Sequence, residues 1–236
     1  MDHPNIPYRI FPLGDTAITI DFGNVIDESI NDKVLALFDQ LRNDPLPGTI
    51  EVVPAYSSVT IYYDLFGASK SFSNGKSVYD TISGQLAERM EQTLPVSEAI
   101  PRLVNIPVCY EKEFAPDIEY LARERNITVD ELIHIHVSRQ YRVYMLGFLP
   151  GFAYMGEVNK TITIPRKPQP VTVAAGSVGI AGKQTGIYPL QSPGGWQIIG
   201  RTPLKLFDAD REEPSLLRAG DRVQFISISK NEFESY

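Results

Sequence analysis

His134 and His136 stand two residues apart and invite a metal or proton-transfer reading. On a helix, residues two apart do not share a face, and no Cys or carboxylate nearby completes a tetrahedral ligand set; no metal is expected. His136 alone suits proton transfer, because imidazole titrates near neutrality. The structural alternative is a histidine at a helix end, satisfied by a backbone carbonyl. Arg166 and Arg201 bracket a long stretch in which, beyond Lys167, the only charge is Lys183. Either arginine can receive a carboxylate or another anion through paired N–H donors, or lie in a surface ion pair.

Two further motifs approach known devices. Gly182-Lys183 resembles the end of a phosphate-binding loop, which requires Gly-x-x-x-x-Gly-Lys-Ser/Thr followed by a helix. Here the outer positions hold Ser177 and Gln184, and no helical pattern follows. Ala175-Gly176-Ser177-Val178-Gly179 approaches a nucleophile elbow, which needs a helix after the serine and a histidine later in the chain. His3, His134 and His136 all precede Ser177. Ser177 therefore reads as a turn residue that can touch a substrate.

The stretch that must position these groups is residues 147–203. Gly and Pro recur too often for a core helix or a membrane span, so it reads as short buried strands joined by tight turns. Its aromatics are core residues except beside Pro150-Gly151, where the chain must bend and Phe152 and Tyr154 can wall a pocket.

The totals exclude several classes. The chain has 236 residues, a net charge of −7 and a pI near 5.0. Nucleic acid needs clustered Lys and Arg, and none are clustered here; a membrane surface is disfavoured on the same ground. The first residues do not form a signal peptide, and no run of about 18 apolar residues exists. The lone cysteine, Cys109, cannot form an internal disulfide. A cytoplasmic location is expected.

The coarse pattern is α+β. Strands are expected at 8–11 and 17–22. A helix capped by Asp27 follows, with Ile30, Val34, Leu37, Phe38 and Leu41 on one face. Strands at 49–53 and 58–63, a polar loop at 67–75 and a helix through Val78, Ile82, Leu86 and Met90 come next. With a closing strand at 103–109, this β-α-β-β-α order suggests a ferredoxin-like unit. The 95–101 link divides the chain into domains 1–95 and 96–236. Helices are expected from Pro116 to Glu124 and from the Thr128–Glu131 capping box to Ser138, then a strand at 141–148. Beyond it no helix is expected. Short strands, the last at 222–227, should close a barrel or sandwich.

The motif series is also recognisable. The run from His136 through Tyr141, Gly147 and Pro150-Gly151-Phe152 to Tyr154 comes first. Pro165-Arg166, Ala175 to Gly182, Gln184 to Pro189 and Pro193-Gly194-Gly195-Trp196 through Arg201-Thr202-Pro203 follow in order. Together they resemble the family of the 5-oxoprolinase B subunit, also called allophanate hydrolase subunit 1, which includes Kip-type histidine-kinase inhibitors. The resemblance implies a cyclophilin-like β-barrel after the small N-terminal domain. It also implies a subunit inactive alone, which hydrolyses 5-oxoproline to glutamate with the A and C subunits at the expense of ATP. ATP is used by the complex and need not bind this chain. The alternative within the family is a non-catalytic inhibitor of a sensor histidine kinase. The site expected on this basis has His136 as a proton-transfer group and Arg166 or Arg201 on a carboxylate or phosphoryl oxygen. Gly151, Phe152, Tyr154, Ser177, Gln184 and Thr185 are expected to contact substrate, as are Tyr188, Gly194, Gly195 and Trp196. Two positions depart from the family pattern: Val171 stands where an arginine is usual, and Ala174 where a proline is.

Overall fold

The computed structural model describes residues 7–71, 77–91 and 101–236. The chain divides into two compact units, Met1–Ala99 and Ile100–Tyr236. The link expected to separate them, with its boundary near residue 95, lies outside the described residues except for Pro101.

The first unit contains β1 (Arg9–Pro12), β2 (Ala17–Asp21), α1 (Glu28–Asn43), β3 (Thr49–Pro54), β4 (Ser58–Tyr63), α2 (Leu65–Ser71) and α3 (Val78–Glu91). The strands form one antiparallel sheet in the order β1-β2-β4-β3. Helix α1 thus connects two strands with β4 inserted between them. The Asp27 carboxylate starts α1 by accepting from the Ile30 N–H at 3.0 Å, satisfying one of the donors that a helix N-terminus leaves open. Val34, Leu37 and Leu41 recur at helical spacing and share a core with Ile18, Ile20, Val59 and Ile61 from alternate positions of the central strands.

Two expectations change in this half of the chain. The polar segment after residue 64 begins as a helix. Asp64 accepts from the N–H groups of Phe66 (3.1 Å) and Gly67 (2.9 Å), and this cap organises α2 from a sequence with little apolar pattern. The strand at Leu103–Cys109 does not close the N-terminal sheet. The edge beside β2 is held by β1, and the strand's Ile106 and Val108 are buried in the core of the second unit.

That second unit is a closed barrel. Its strands are β5 (Leu103–Cys109), β6 (Gln140–Leu146), β7 (Ala153–Gly156), β9 (Ser177–Ala181), β10 (Gln184–Ile187), β12 (Gln197–Arg201) and β13 (Arg222–Ile228). They run around the barrel as β10-β7-β6-β13-β5-β12-β9. Between them, β8 (Val171–Val173) and β11 (Ser192–Gly194) pair as a separate ribbon. The pairing of β5 with β13 is parallel, from Leu103↔Arg222 to Cys109↔Ile228. The Arg102 guanidinium forks onto Asp221 at 3.0 and 2.5 Å and fastens the start of this seam.

Helices α4 (Ile118–Glu124) and α5 (Val129–Val137) follow β5. The capping box expected for α5 is present: Thr128 Oγ1 accepts from Glu131 N at 3.1 Å, and Glu131 Oε2 accepts from Thr128 N at 2.7 Å. A second box, Ser229 with Glu232, starts α6 (Lys230–Glu234). This helix corrects the expectation that none follows residue 148. Among the described residues no helix is long and apolar enough to cross a membrane.

Candidate functional site

The uncharged stretch folds into strands of the barrel wall, and its aromatics collect on one side. Phe152, Tyr188 and Trp196 are buried together with Val173, Ala181 and Ile198, and Leu149 and Tyr154 pack on them. The rings meet edge to face. Phe152 lies 5.2 Å from Tyr188 and 5.5 Å from Trp196, with interplanar angles of 82° and 89°. Such T-shaped pairs place a positive ring edge on a negative ring face. Tyr154 lies at the outer side, 4.7 Å from Phe152 and 6.0 Å from Trp196. The rings fill the cluster, so a ligand must use its outer face.

Gly194 makes this packing possible. A Cβ there would lie 2.5 Å from the Tyr188 hydroxyl and 2.7 Å from two of its ring carbons. Tyr188 is 2% exposed and cannot withdraw. Gly194→Ala should therefore push the β11 backbone off the ring. We expect a loss of about 2 kcal/mol in urea unfolding, typical of overpacking, together with a shift in the emission of Trp196, the only tryptophan. An unchanged spectrum and stability would show that the ribbon is looser than this contact implies.

Phe148 covers the cluster from outside. Its ring lies 5.6 Å from Phe152 and 6.4 Å from Tyr188, yet it is 62% exposed. Its φ is +70°, which L side chains rarely adopt. The Leu149 N–H donates to the Gly147 carbonyl across it at 2.9 Å, the three-residue turn that this φ belongs to and a strained one. Backbone strain of this kind collects at ligand clamps and switch regions.

The cation at the site is Arg166. It is exposed, and among the described residues it has neither an ion-pair nor a hydrogen-bond partner. It is close enough to Tyr154 and Tyr188 for its charge to bear on both hydroxyls. Burial raises both phenols above the ordinary tyrosine value, with Arg166 opposing it, and for Tyr188 a Trp196 backbone contact does so as well. Both hydroxyls keep their protons at neutral pH. Gly195, whose Cβ position is 4.0 Å from Arg166 Cβ, borders the same patch. The structure thus brings together Arg166, Tyr154, Tyr188, Trp196, Phe152, Gly194 and Gly195.

The remaining expected residues lie elsewhere. Arg201 Nε donates to the Ala175 carbonyl at 2.8 Å, beside Ser177, which is buried in β9 opposite Arg201. Gly151 packs against Phe207 and Leu206. Gln184 pairs with Gly156 and Ala181 at the β9–β10 turn. In that turn Lys183 pairs with Glu157 at 3.4 Å. A strand, not a helix, follows Lys183, so these residues do not fit a nucleoside triphosphate.

His136 and Thr185 are interior. His136 has no exposure, and its ring stacks on Phe225 at 4.5 Å. Thr185 Oγ1 donates its one proton to the Gly179 carbonyl at 3.0 Å. It must therefore accept from His136 Nε2, 3.1 Å away. His136 Nδ1, left bare, accepts from the Tyr110 hydroxyl at 2.8 Å. One tautomer satisfies all three groups. Burial lowers the His136 pKa to about 3, so the ring is neutral at physiological pH. Both ring nitrogens are thus met by side chains inside the barrel, where a backbone carbonyl was the partner expected for a histidine without a catalytic part.

Sequence reasoning did not single out Asp117 or Lys167. They form an ion pair at 2.6 Å next to the patch, with each side chain about one-sixth exposed (17% and 18%). The Arg166-Lys167 doublet before a proline was the available signal.

The closed seven-stranded barrel, with an exposed arginine beside a packed aromatic cluster, defines a β-barrel protein of mixed α and β class. More specifically, the chain belongs to the family of the carboxyltransferase domain, subdomain C and D, whose description matches residues 8–217. It is 44% identical to the 5-oxoprolinase B subunit of Bacillus subtilis (strain 168), covering 98% of this chain and 97% of that one. It is 35% identical to the protein of the same name from Escherichia coli O157:H7, over 92% and 95% of the two chains. The crystallised protein TTHA0988 superimposes with a TM-score of 0.76 at 37% identity, over 90% of this chain and 40% of that one.

Proposed function

We propose that this chain is the B subunit of an ATP-dependent 5-oxoprolinase, acting with the A and C subunits to open the lactam of 5-oxo-L-proline to L-glutamate. The observation that carries the reading is the exposed Arg166, without an ion-pair partner among the described residues, beside the half-buried Tyr154 and the Trp196 cluster, in a chain closely similar to proteins named for that activity. 5-Oxoproline is a flat ring bearing one carboxylate. Arg166 receives that carboxylate through charge-assisted N–H donors, and the ring lies against the outer aromatic face. The half-buried Tyr154 hydroxyl, which keeps its proton, can orient the anion without repelling it.

The part of this chain is to bind and orient. The Lys183 turn lacks the helix of a phosphate-binding loop, and on this reading ATP is used by the complex and need not bind this chain. The test is co-expression with candidate A and C subunits, followed by glutamate release from 5-oxo-L-proline with and without ATP. We expect ATP-dependent release by the assembled complex and none by this chain alone. An assembled complex that releases no glutamate overturns the proposal.

A further inference from the structure

Arg166 is a better receptor if its backbone is held, since binding then has only the side chain to order and not the main chain as well. The residues on both sides of it are anchored. The Pro165 carbonyl accepts from Gln197 Nε2 at 3.2 Å, and Gln197 is 5% exposed. The Lys167 N–H donates to the Gly195 carbonyl at 2.7 Å. Lys167 Nζ then reaches Asp117, which is itself fixed because its Oδ2 accepts from the Ile198 N–H at 2.7 Å and its own N–H donates to the Ile198 carbonyl at 3.0 Å. Pro165 and Pro168 restrict the backbone further. Every anchor converges on residues 195–198, the segment that carries Trp196.

We propose that Lys167, clamped to Asp117, is a positioning residue that fixes Arg166 as the carboxylate seat beside Trp196. This rests on the reading of Arg166 given above. Lys167 does not touch the ligand: its ammonium is committed to Asp117, and its adjacency in the chain fixes where Arg166 begins. The clamp makes recognition of a carboxylate depend on an ion pair that contributes no contact of its own.

The readout is the ratio of dissociation constants for 5-oxo-L-prolinamide and 5-oxo-L-proline, followed by Trp196 fluorescence on the full chain. The two ligands differ only in the charged group. The wild type should prefer the acid by about 30-fold, the scale of a charge-assisted pair. Arg166→Gln should abolish the preference, and Lys167→Met and Asp117→Asn should cut it to about 5-fold or less, as expected for lost preorganisation. Lys167→Arg should keep most of it. Arg102→Met, which breaks an ion pair outside this patch, controls for stability: it should lower the melting temperature without moving the ratio. Lys167→Met with the wild-type ratio, an Arg102→Met variant that moves it equally, or a wild type without preference overturns the proposal. Because no ATP or partner subunit is present, an inactive complex with the ratios intact would remove the oxoprolinase reading and leave the clamp standing.

Discussion

Lowering the pH from 7 to 5 is expected to remove about 2 kcal/mol of stability through His136 alone. The sign follows from where the proton is held. The folded His136 has its pKa depressed to about 3 by burial, whereas the unfolded histidine titrates near 6.5. Below about pH 6.5 the unfolded chain binds a proton that the folded barrel refuses, and stability falls by about 1.4 kcal/mol per pH unit until the folded group titrates. The contribution is complete above pH 6.5 and lost progressively on the way down to 3. Protonation would also break the network, since Nδ1 could no longer accept from Tyr110. Urea unfolding of wild type and His136→Gln at pH 7 and pH 5 separates this from the carboxylates. The variant should be less stable at pH 7 and have a flatter slope between the two values. Equal slopes would place the acid sensitivity elsewhere.

Gly176→Ala is expected to cost about 3–5 kcal/mol, the range reserved for substitutions that combine backbone strain with an immovable clash. Gly176 has φ of +82°, and its absent Cβ would fall within contact distance of the Thr202 carbonyl oxygen, a backbone atom. Two hydrogen bonds hold the turn in place: Gly176 N–H to the Tyr188 carbonyl at 2.7 Å and Thr202 N–H to the Gly176 carbonyl at 2.9 Å. The turn cannot move without breaking them. Thermal unfolding followed by Trp196 fluorescence should show a midpoint about 10 °C lower or more. A drop of only a degree or two would mean that the turn has room that its neighbours do not show.

Much of this architecture is legible in the residues because local rules agree with the final packing. Thr128 and Glu131 announce α5, Val34, Leu37 and Leu41 announce α1, and the glycine-rich run announces short barrel strands. Legibility fails where one long-range partner decides. Leu103–Cys109 alternates like any strand, and nothing local says that it joins Arg222–Ile228 and not the N-terminal sheet. Helix α2 depends on the Asp64 side chain more than on apolar periodicity. At the site, Arg166 and Trp196 stand out by charge and rarity. Asp117 does not: it meets Lys167 fifty positions away, and no spacing rule connects them. His136 stands out by type but takes its character from Tyr110 and Thr185, which sequence proximity does not link to it.

The parallel seam between β5 and β13 bears on the timing of biogenesis. Its fastening pair, Arg102 and Asp221, is separated by 119 positions. Pairings this distant must overcome the entropy of closing a long loop before any contact rewards it, and they slow folding. During synthesis the barrel cannot close until residues 222–228 have left the ribosome. Strand β5 therefore waits with an unpaired edge while more than a hundred residues are added. The N-terminal unit, whose strands all lie within its own segment, has no such delay and can be complete first. A nascent chain stalled short of residue 222 would thus carry a finished first unit and an open, adhesive sheet, the state in which chaperone capture would matter most.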